Sequence, residues 1–342
     1  MTPTRREFAA LTLGFSLAWG AAAPAWALAR QPLAIASGGA VGDSPAGTTG
    51  AYDQAIRDGA DVLAADFVPS KDGQLVARAD HELSSSTDVA ARPEFADRRQ
   101  SRFVEGRERS GWFTEDFTLA ELKTLVCGAP GGRKRAGPAG AAHAILTFEE
   151  LVAIARAGSV RTARVVGLQA GFAHSAYFAG LELAVEPRLA DAIRVAGYNS
   201  PAAAMMVASR DPDALKTIGE LTRVRRVQQL SFDDAAAIDA AALTAIRARA
   251  WGIAVEAGVL LDLSSTKATP ARALVADAHA AGLAVQAWTS GPDVVFPPPP
   301  FKSGDGRRLL AALFAAGCDA VAGELAAPIV RARDEATPRD RS

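Results

Sequence analysis

Short apolar runs alternate with amphipathic stretches along the chain, and that alternation predicts its architecture. The runs at 33–37, 62–68, 164–169, 204–208, 226–230, 252–257, 283–288 and 319–322 are almost continuously apolar. Strands buried on both faces read this way. Between them lie helical patterns such as "SPAGTTGAYDQAIRDGA", "TFEELVAIARAG", "DPDALKTIGELT", "DAAALTAIRARAWG" and "TPARALVADAHAAG". Several open on Ser, Thr or Asp and close on Gly, the residues that cap helix ends. Eight strands alternating with helices predict an α/β fold, a single-domain (β/α)8 TIM barrel. An open doubly wound sheet is the alternative, but no G-x-G-x-x-G follows the first strand to support it. Lys71-Asp72-Gly73 sits between two apolar runs and predicts a hairpin joining 62–68 to 74–79. Two long irregular insertions are expected at 84–118 and at 289–306, the latter carrying "PPPP" at 297–300. The second follows a strand end, the face on which barrels build their sites.

The first residues change the picture of where this barrel works. Arg5 and Arg6 precede Phe8 and Leu11, then comes an apolar run, then small residues at Ala25-Trp26-Ala27 and Ala27-Leu28-Ala29. This reads as a twin-arginine signal peptide over 1–29 with an A-x-A cleavage site, placing a mature domain at 30–335 in the periplasm or outside the cell and leaving a disordered tail at 336–342. The apolar run is short for a membrane anchor, so no transmembrane segment is expected after cleavage. The 37 basic and 38 acidic residues leave a net charge of −1. No long block of one sign suggests nucleic acid or a membrane surface. The basic stretch "GGRKRAGPAG" at 131–140 reads as a solvated loop. Cys127 and Cys318 could pair in an oxidising compartment, which spacing cannot decide. His143, His174 and His279 have no zinc-like spacing, and His279 on its helix reads as a surface or interface residue.

Longer stretches carry a resemblance. "IASGGA" stands where the glycerophosphodiester phosphodiesterase family has I-A-H-R-G-A, and "SPAGT" where it has P-E-N-T. "GADVLAADFVPSKDGQLVARADHEL" is similar to G-A-D-x-I-E-x-D-V-x-x-T-K-D-G-x-L-V-x-x-H-D-x-x-L. "TDVA" and "GWFTEDFTLAELKTL" (111–125) resemble the family's exported bacterial branch. "VASRDPDAL" stands for V-Q-S-F-D-P-D-x-L, followed by "VQAWT" and "GCDAVAGELAAP". The resemblance runs from Ile35 to about Asp334. It implies a barrel of the phospholipase-C-like phosphodiesterase type that hydrolyses glycerophosphodiesters to an alcohol and glycerol 3-phosphate. Two histidines would do the acid/base work, and carboxylates would hold Ca2+ or Mg2+ over the phosphate.

Carried over residue by residue, the resemblance finds few of those groups. The first histidine falls on Ser37 and its neighbouring arginine on Gly38; the glutamate of P-E-N falls on Ala46. In E-x-D, Ala64 replaces the glutamate and Asp66 remains. In H-D, Ala79 replaces the histidine and Asp80 remains. A later E-x-K pair falls on Gly171 and Ala173, and T-D becomes Gly323-Glu324. Alanine and glycine side chains can neither ligate nor shuttle protons. The expectation is a pseudoenzyme that needs no cofactor, with Ca2+ or Mg2+ required only if the family activity survives.

The pocket is expected at Ser37, Asp66, Asp80, His81, Trp288 and Glu324, with Asp66 as the residual metal-type ligand. Each has a plainer role open to it. Asp66 and Asp80 could hold backbone N–H groups at strand ends, and Trp288 could be a core aromatic. His81 is the weak candidate for a replacement catalytic histidine, since residues two apart on a strand share a face with Ala79. Members of the family's exported branch often read H-D-H, so the resemblance favours His81 keeping its own place there. Ser37 lacks the G-x-S-x-G context of a nucleophile. The partner would be a small phosphate ester or an envelope component. An active diesterase with a non-standard residue set, or a structural or partner-binding envelope protein, are the alternatives.

Overall fold

The computed structural model describes residues 31–41, 44–128, 143–262, 269–270, 273–289 and 306–336. The signal-like segment 1–29, the basic stretch 131–140, most of the Pro-rich insertion and all but the first residue of the tail lie outside the described residues.

The chain forms β1 (Leu33–Ser37), β2 (Val62–Pro69), β3 (Leu75–Ala77), β4 (Gln100–Val104), β5 (Arg107–Gly111), β6 (Gly167–Gly171), β7 (Met205–Ser209), β8 (Arg225–Gln229) and β9 (Gly252–Glu256). β10 (Leu261–Asp262), β11 (Thr269–Pro270), β12 (Ala284–Trp288) and β13 (Ala320–Gly323) follow. The main sheet runs β1-β13-β12-β9-β8-β7-β6-β2-β3, and an extra β1–β2 pairing closes it. All neighbours around the ring are parallel, while β3 adds antiparallel to β2. This is the closed parallel eight-stranded (β/α)8 barrel, surrounded by helices.

The helices start where the sequence caps them. Thr147 opens Phe148–Thr162 with a capping box: its hydroxyl accepts from Glu150 N, and the Glu150 carboxylate accepts from Thr147 N. Asp211 caps Pro212–Leu221, with proline in the first turn, where its missing N–H does no harm. Among the described residues no helix is long and apolar enough to cross a membrane.

Each apolar run identified as a strand lies in the barrel, with one shift. The run at 164–169 begins as a turn, and β6 starts at Gly167. Ala163 ends the preceding helix at φ 50, and Arg164 donates to the carbonyls of Ala60 and Ile56. Val165 is consequently left exposed. The insertion at 84–118, expected to be irregular, contains the β4–β5 hairpin. Glu105 and Gly106 close it, both at positive φ, as a two-residue hairpin turn requires. Its strands are polar on both faces, so no period-2 apolar signal reveals them.

Strand parity positions the site. Leu33, Ile35, Val62, Ala64, Met206, Ala208, Val227, Ala254, Ala320 and Ala322 form one buried cluster. Stepping two residues along these strands places Ser37, Asp66, Arg210, Gln229 and Glu324 at the barrel mouth. At the opposite end, carboxylates bind strands together. Asp61 accepts from Ala34 N and pairs with Arg333; Asp319 accepts from Val285 N and bonds His279 Nε2 at 2.8 Å. His279 is therefore a partly exposed structural residue. Cys127 and Cys318 are both free and buried, in different core clusters.

Candidate functional site at the barrel mouth

A cavity of about 270 Å3 opens at the C-terminal ends of the strands. Ser37, Gly38, Ala46, Ala64, Ala79 and Gly171, scattered over more than a hundred residues of sequence, all line it. Asp66 and Glu324 supply its carboxylates. A second cavity of about 620 Å3 adjoins it and includes Ala173; Asp66, Arg78, Ala79 and Gln229 line both. A third, of about 240 Å3, contains Trp288 and shares Ser37, Gln169, Gln229 and Glu324 with the first. The mouth is thus one branched cleft with an uncharged shelf and a few charged groups at its junctions.

The first loop is stitched tightly into this floor. Gly38 N donates to Ala64 O, Gly47 N to Gly38 O, and Ala40 N to Ala51 O, each at 2.8–2.9 Å. Gly38 has φ +69, a conformation that favours glycine, so the position next to Ser37 is backbone-determined as well as chemically bare.

Asp66 sits over Gly171. A Cβ on Gly171 would lie 1.7 Å from Asp66 Oδ1, so the carboxylate occupies the space a larger residue would need. Asp66 is exposed to solvent within the cleft, whose walls crowd around it. That surrounding pushes its pKa up to about 6, and the positive charge of Arg210 opposes the rise only in part. Tyr52 lies beneath, donating its hydroxyl to Ala64 O at 3.1 Å; burial, with Asp66 adding to it, pushes its pKa well above the ordinary value.

The raised pKa of Asp66 has a sign. A carboxyl harder to ionise in the fold than in the unfolded chain makes folding less favourable as pH rises. The loss develops between the ordinary value of 3.8 and about 6, and persists above it. Asp66→Asn is expected to raise the melting temperature at pH 7.5 and leave it unchanged near pH 3.5. Solvent in the cleft keeps the gain well under the ~3 kcal/mol that two pKa units would represent. Melting curves at the two pH values check this; an equal shift at both would remove ionisation as the cause.

Two expected pocket residues lie elsewhere. Asp80 is outside the cavity lining: its carboxylate takes both terminal nitrogens of Arg109 on β5 and accepts from Glu82 N. The expected backbone role is thus present, with a salt bridge added. His81 is fully buried behind the second cavity. Its Nδ1 lies 3.2 Å from Glu115 Oε1, and its ring packs among Phe113, His174, Tyr177 and Phe178. Sharing a strand face with Ala79 does not carry His81 to the cleft, because β3 ends at Ala77 and the chain turns away beyond it.

Residues that the motifs did not flag complete the cleft. Arg210, Gln229, Gln169 and Arg78 all line it. Parity along β6, β7 and β8 could have found the first three; the family motifs mark only the positions of reactive groups. His174 also lines the second cavity, 2.8 Å from Glu105 on the hairpin turn.

The donors fit a hard divalent cation poorly. Among the described residues no three His, Cys, Asp or Glu side chains converge as a metal-ligand set. The floor carboxylates are Asp66 and Glu324, with Arg78 beside them. Ca2+ takes about six to eight oxygens, and Mg2+ a near-octahedral shell. Two carboxylates fall well short of either shell.

The closed parallel barrel is consistent with the phospholipase-C-like phosphodiesterase type, and its cleft lies at the strand C-termini, where (β/α)8 barrels build their sites. The model of the glycerophosphoryl diester phosphodiesterase family matches residues 39–322, and the chain belongs to that family. The Arabidopsis thaliana glycerophosphodiester phosphodiesterase GDPD6 is 40% identical over 143 residues, 40% of this chain and 36% of that protein. GDPDL6 from the same plant is 38% identical over 97 residues, 28% of this chain and 12% of its own length. The matched part thus spans 36% of the first relative and 12% of the second. Among solved structures, an Oleispira antarctica phosphodiesterase in complex with the product sn-glycerol-3-phosphate superposes at a TM-score of 0.61. It is 21% identical and covers 91% of this chain and 99% of its own. The glycerophosphodiester phosphodiesterase from Agrobacterium tumefaciens gives 0.59 at 14% identity, covering 87% and 98%. At such identities these structures speak for the fold alone.

Proposed function

We propose that this chain is an exported, non-hydrolytic member of its family that holds a small phosphate ester or another envelope component at the barrel mouth. The observation that supports it is the convergence of Ser37, Gly38, Ala46, Ala64, Ala79 and Gly171 on one cavity. These are the positions at which the family resemblance expects histidines, an arginine and carboxylates. The cavity keeps its walls and has aliphatic or hydroxyl groups where a hydrolase needs ionisable ones. Positioned acid/base groups are worth roughly 10²–10⁴-fold each, and metal charge stabilisation adds several kcal/mol. Absence of both therefore takes hydrolysis far below useful rates. No Ca2+ or Mg2+ requirement is proposed for binding. Residues 1–29 would direct twin-arginine export and be removed, leaving a barrel domain over 30–335 in the periplasm or medium.

The test is hydrolysis of glycerophosphocholine by the purified mature chain with Ca2+ or Mg2+. The expected result is no release of glycerol 3-phosphate above a no-enzyme blank. Turnover within the usual enzyme range of roughly 1–10³ s⁻¹ would overturn the reading.

A further inference from the structure

Arginine stands in two places around the cleft where a ligand would meet it. Arg210 follows β7 and, by parity with Met206 and Ala208, points into the mouth. It lines the second and third cavities, is exposed, and makes no hydrogen bond or ion pair to a described residue. Its positive charge acts on Asp66. In the motif V-A-S-R-D-P-D, Arg210 occupies the place where the family pattern has phenylalanine. That exchange puts a permanent cation into a wall that would otherwise be apolar.

Arg78 reaches the same junction from the other side. It lines the first and second cavities and is only 7% exposed. One terminal nitrogen lies 3.2 Å from Cys127 Sγ, and its Nε is buried with no hydrogen-bond partner among the described residues. A buried guanidinium N–H left unpaired is costly unless something else accepts from it. Gln169, also 7% exposed, leaves its Oε1 buried and unpartnered at the junction of the first and third cavities. The cleft therefore offers Arg210 and the unpaired Nε of Arg78 as donors for an anion, and the unpaired Oε1 of Gln169 as an acceptor for a hydroxyl.

Resting on the non-hydrolytic reading above, we infer that Arg210 and Arg78 form a metal-independent anion site at this junction, which takes the phosphate group of a hydroxyl-bearing phosphate ester. Guanidinium pairs with phosphate oxygens through two parallel N–H donors and keeps its charge at every physiological pH. It thus does for a bound phosphate what a divalent cation would do, without the Lewis acidity that hydrolysis requires. Asp66 is then a competitor: its carboxylate lies beside Arg210 and repels an arriving anion. A metal-based site predicts the reverse, with Asp66 a ligand on which binding depends.

Calorimetric titration of the mature chain with inorganic phosphate and with glycerol 3-phosphate, in EDTA and in Ca2+, separates the two. The anion site predicts equal affinity with and without the cation. Arg210→Gln should weaken both ligands by about tenfold or more, since a charged hydrogen-bonding partner is lost. Asp66→Asn should tighten both, and glycerol 3-phosphate should bind better than phosphate alone. Arg210 is exposed, so its variant is expected to melt as the parent does, and a thermal scan checks that. Binding that appears only with Ca2+, that weakens in Asp66→Asn, or that is unchanged in Arg210→Gln overturns the arginine site and leaves the binder reading standing. Failure of the parent chain to bind either ligand overturns the arginine site and, with it, phosphate-ester binding, while the non-hydrolytic reading stands or falls on the hydrolysis assay.

Discussion

Replacing Glu115 by alanine is expected to cost about 3–5 kcal/mol of folding stability, the usual result of breaking a buried ion pair from one side. The Glu115 side chain is 2% exposed and faces His81, which is fully buried. Tyr177 Oη donates to Glu115 Oε1 at 2.5 Å, and Arg102 donates to the same oxygen at 3.1 Å. Arg102 also pairs with Asp116 and lies over the Phe113 ring, 5.2 Å from its centroid. Removing the carboxylate leaves an imidazole, a phenol and a guanidinium converging on an empty space. Burial alone would raise the Glu115 pKa, but the hydrogen bond and charge of His81, helped by Tyr177, bring it below the ordinary 4.5. Its ionised form therefore contributes stability in full above about pH 4.5, and that contribution is lost as pH falls through the lower folded-state pKa. Urea unfolding at pH 7 should show the loss in Glu115→Ala and a smaller one in Glu115→Gln, which keeps the shape. A change under 1 kcal/mol in the alanine variant would mean the cluster is incidental. The same cluster explains why His81 serves the scaffold: its hydrogen-bonding nitrogen faces Glu115, and aromatic rings surround the rest.

Gly39→Ala is the second large effect, with an expected loss of about 2–5 kcal/mol. Gly39 has φ +93, and an added Cβ would lie 2.6 Å from the carbonyl carbon of Ala51 and 2.7 Å from its Cβ. Left-handed backbone costs a side chain roughly 1–2 kcal/mol, and overpacking against rigid backbone adds about 1–3. The neighbour is helix backbone in Thr49–Arg57, so it cannot step aside as a side-chain tip would. Gly106 is the internal control. It has φ +76, and a Cβ added there would meet nothing within 4 Å, so Gly106→Ala should lose only the backbone part. Equal losses in the two variants would remove the steric argument. Gly39 also sets the loop that carries Ser37 and Gly38, so its variant should alter the cleft as well as the melt.

The two effects show how differently parts of the molecule could be read. The glycine belongs to a local motif, "SGGA", with its turn and helix following directly. The buried pair joins residues 34 apart in sequence through the β4–β5 insertion, whose polar strands carry no periodic signal. Asp80 belongs to the same case, because Arg109, its partner, comes from β5.

The barrel was written in the chain itself. Eight apolar runs separated by capped helices allow few closed solutions, because strands apolar on both faces must be covered on both. The aliphatic residues of the floor were also legible, from motif positions that had changed chemistry while their neighbours had not. Tertiary structure alone decided which surviving polar groups share space. Closure of the ring brings β2, β6, β7 and β13 to one mouth, so Asp66, Gln169, Arg210 and Glu324 meet across gaps that no local spacing encodes. It also turned His81 and Asp80 away from that mouth, since the chain leaves the sheet after Ala77 and a folded insertion claims both side chains. Period and capping are properties of neighbours along the chain. Charge environment and burial are properties of neighbours in space, and those exist only once the ring has closed.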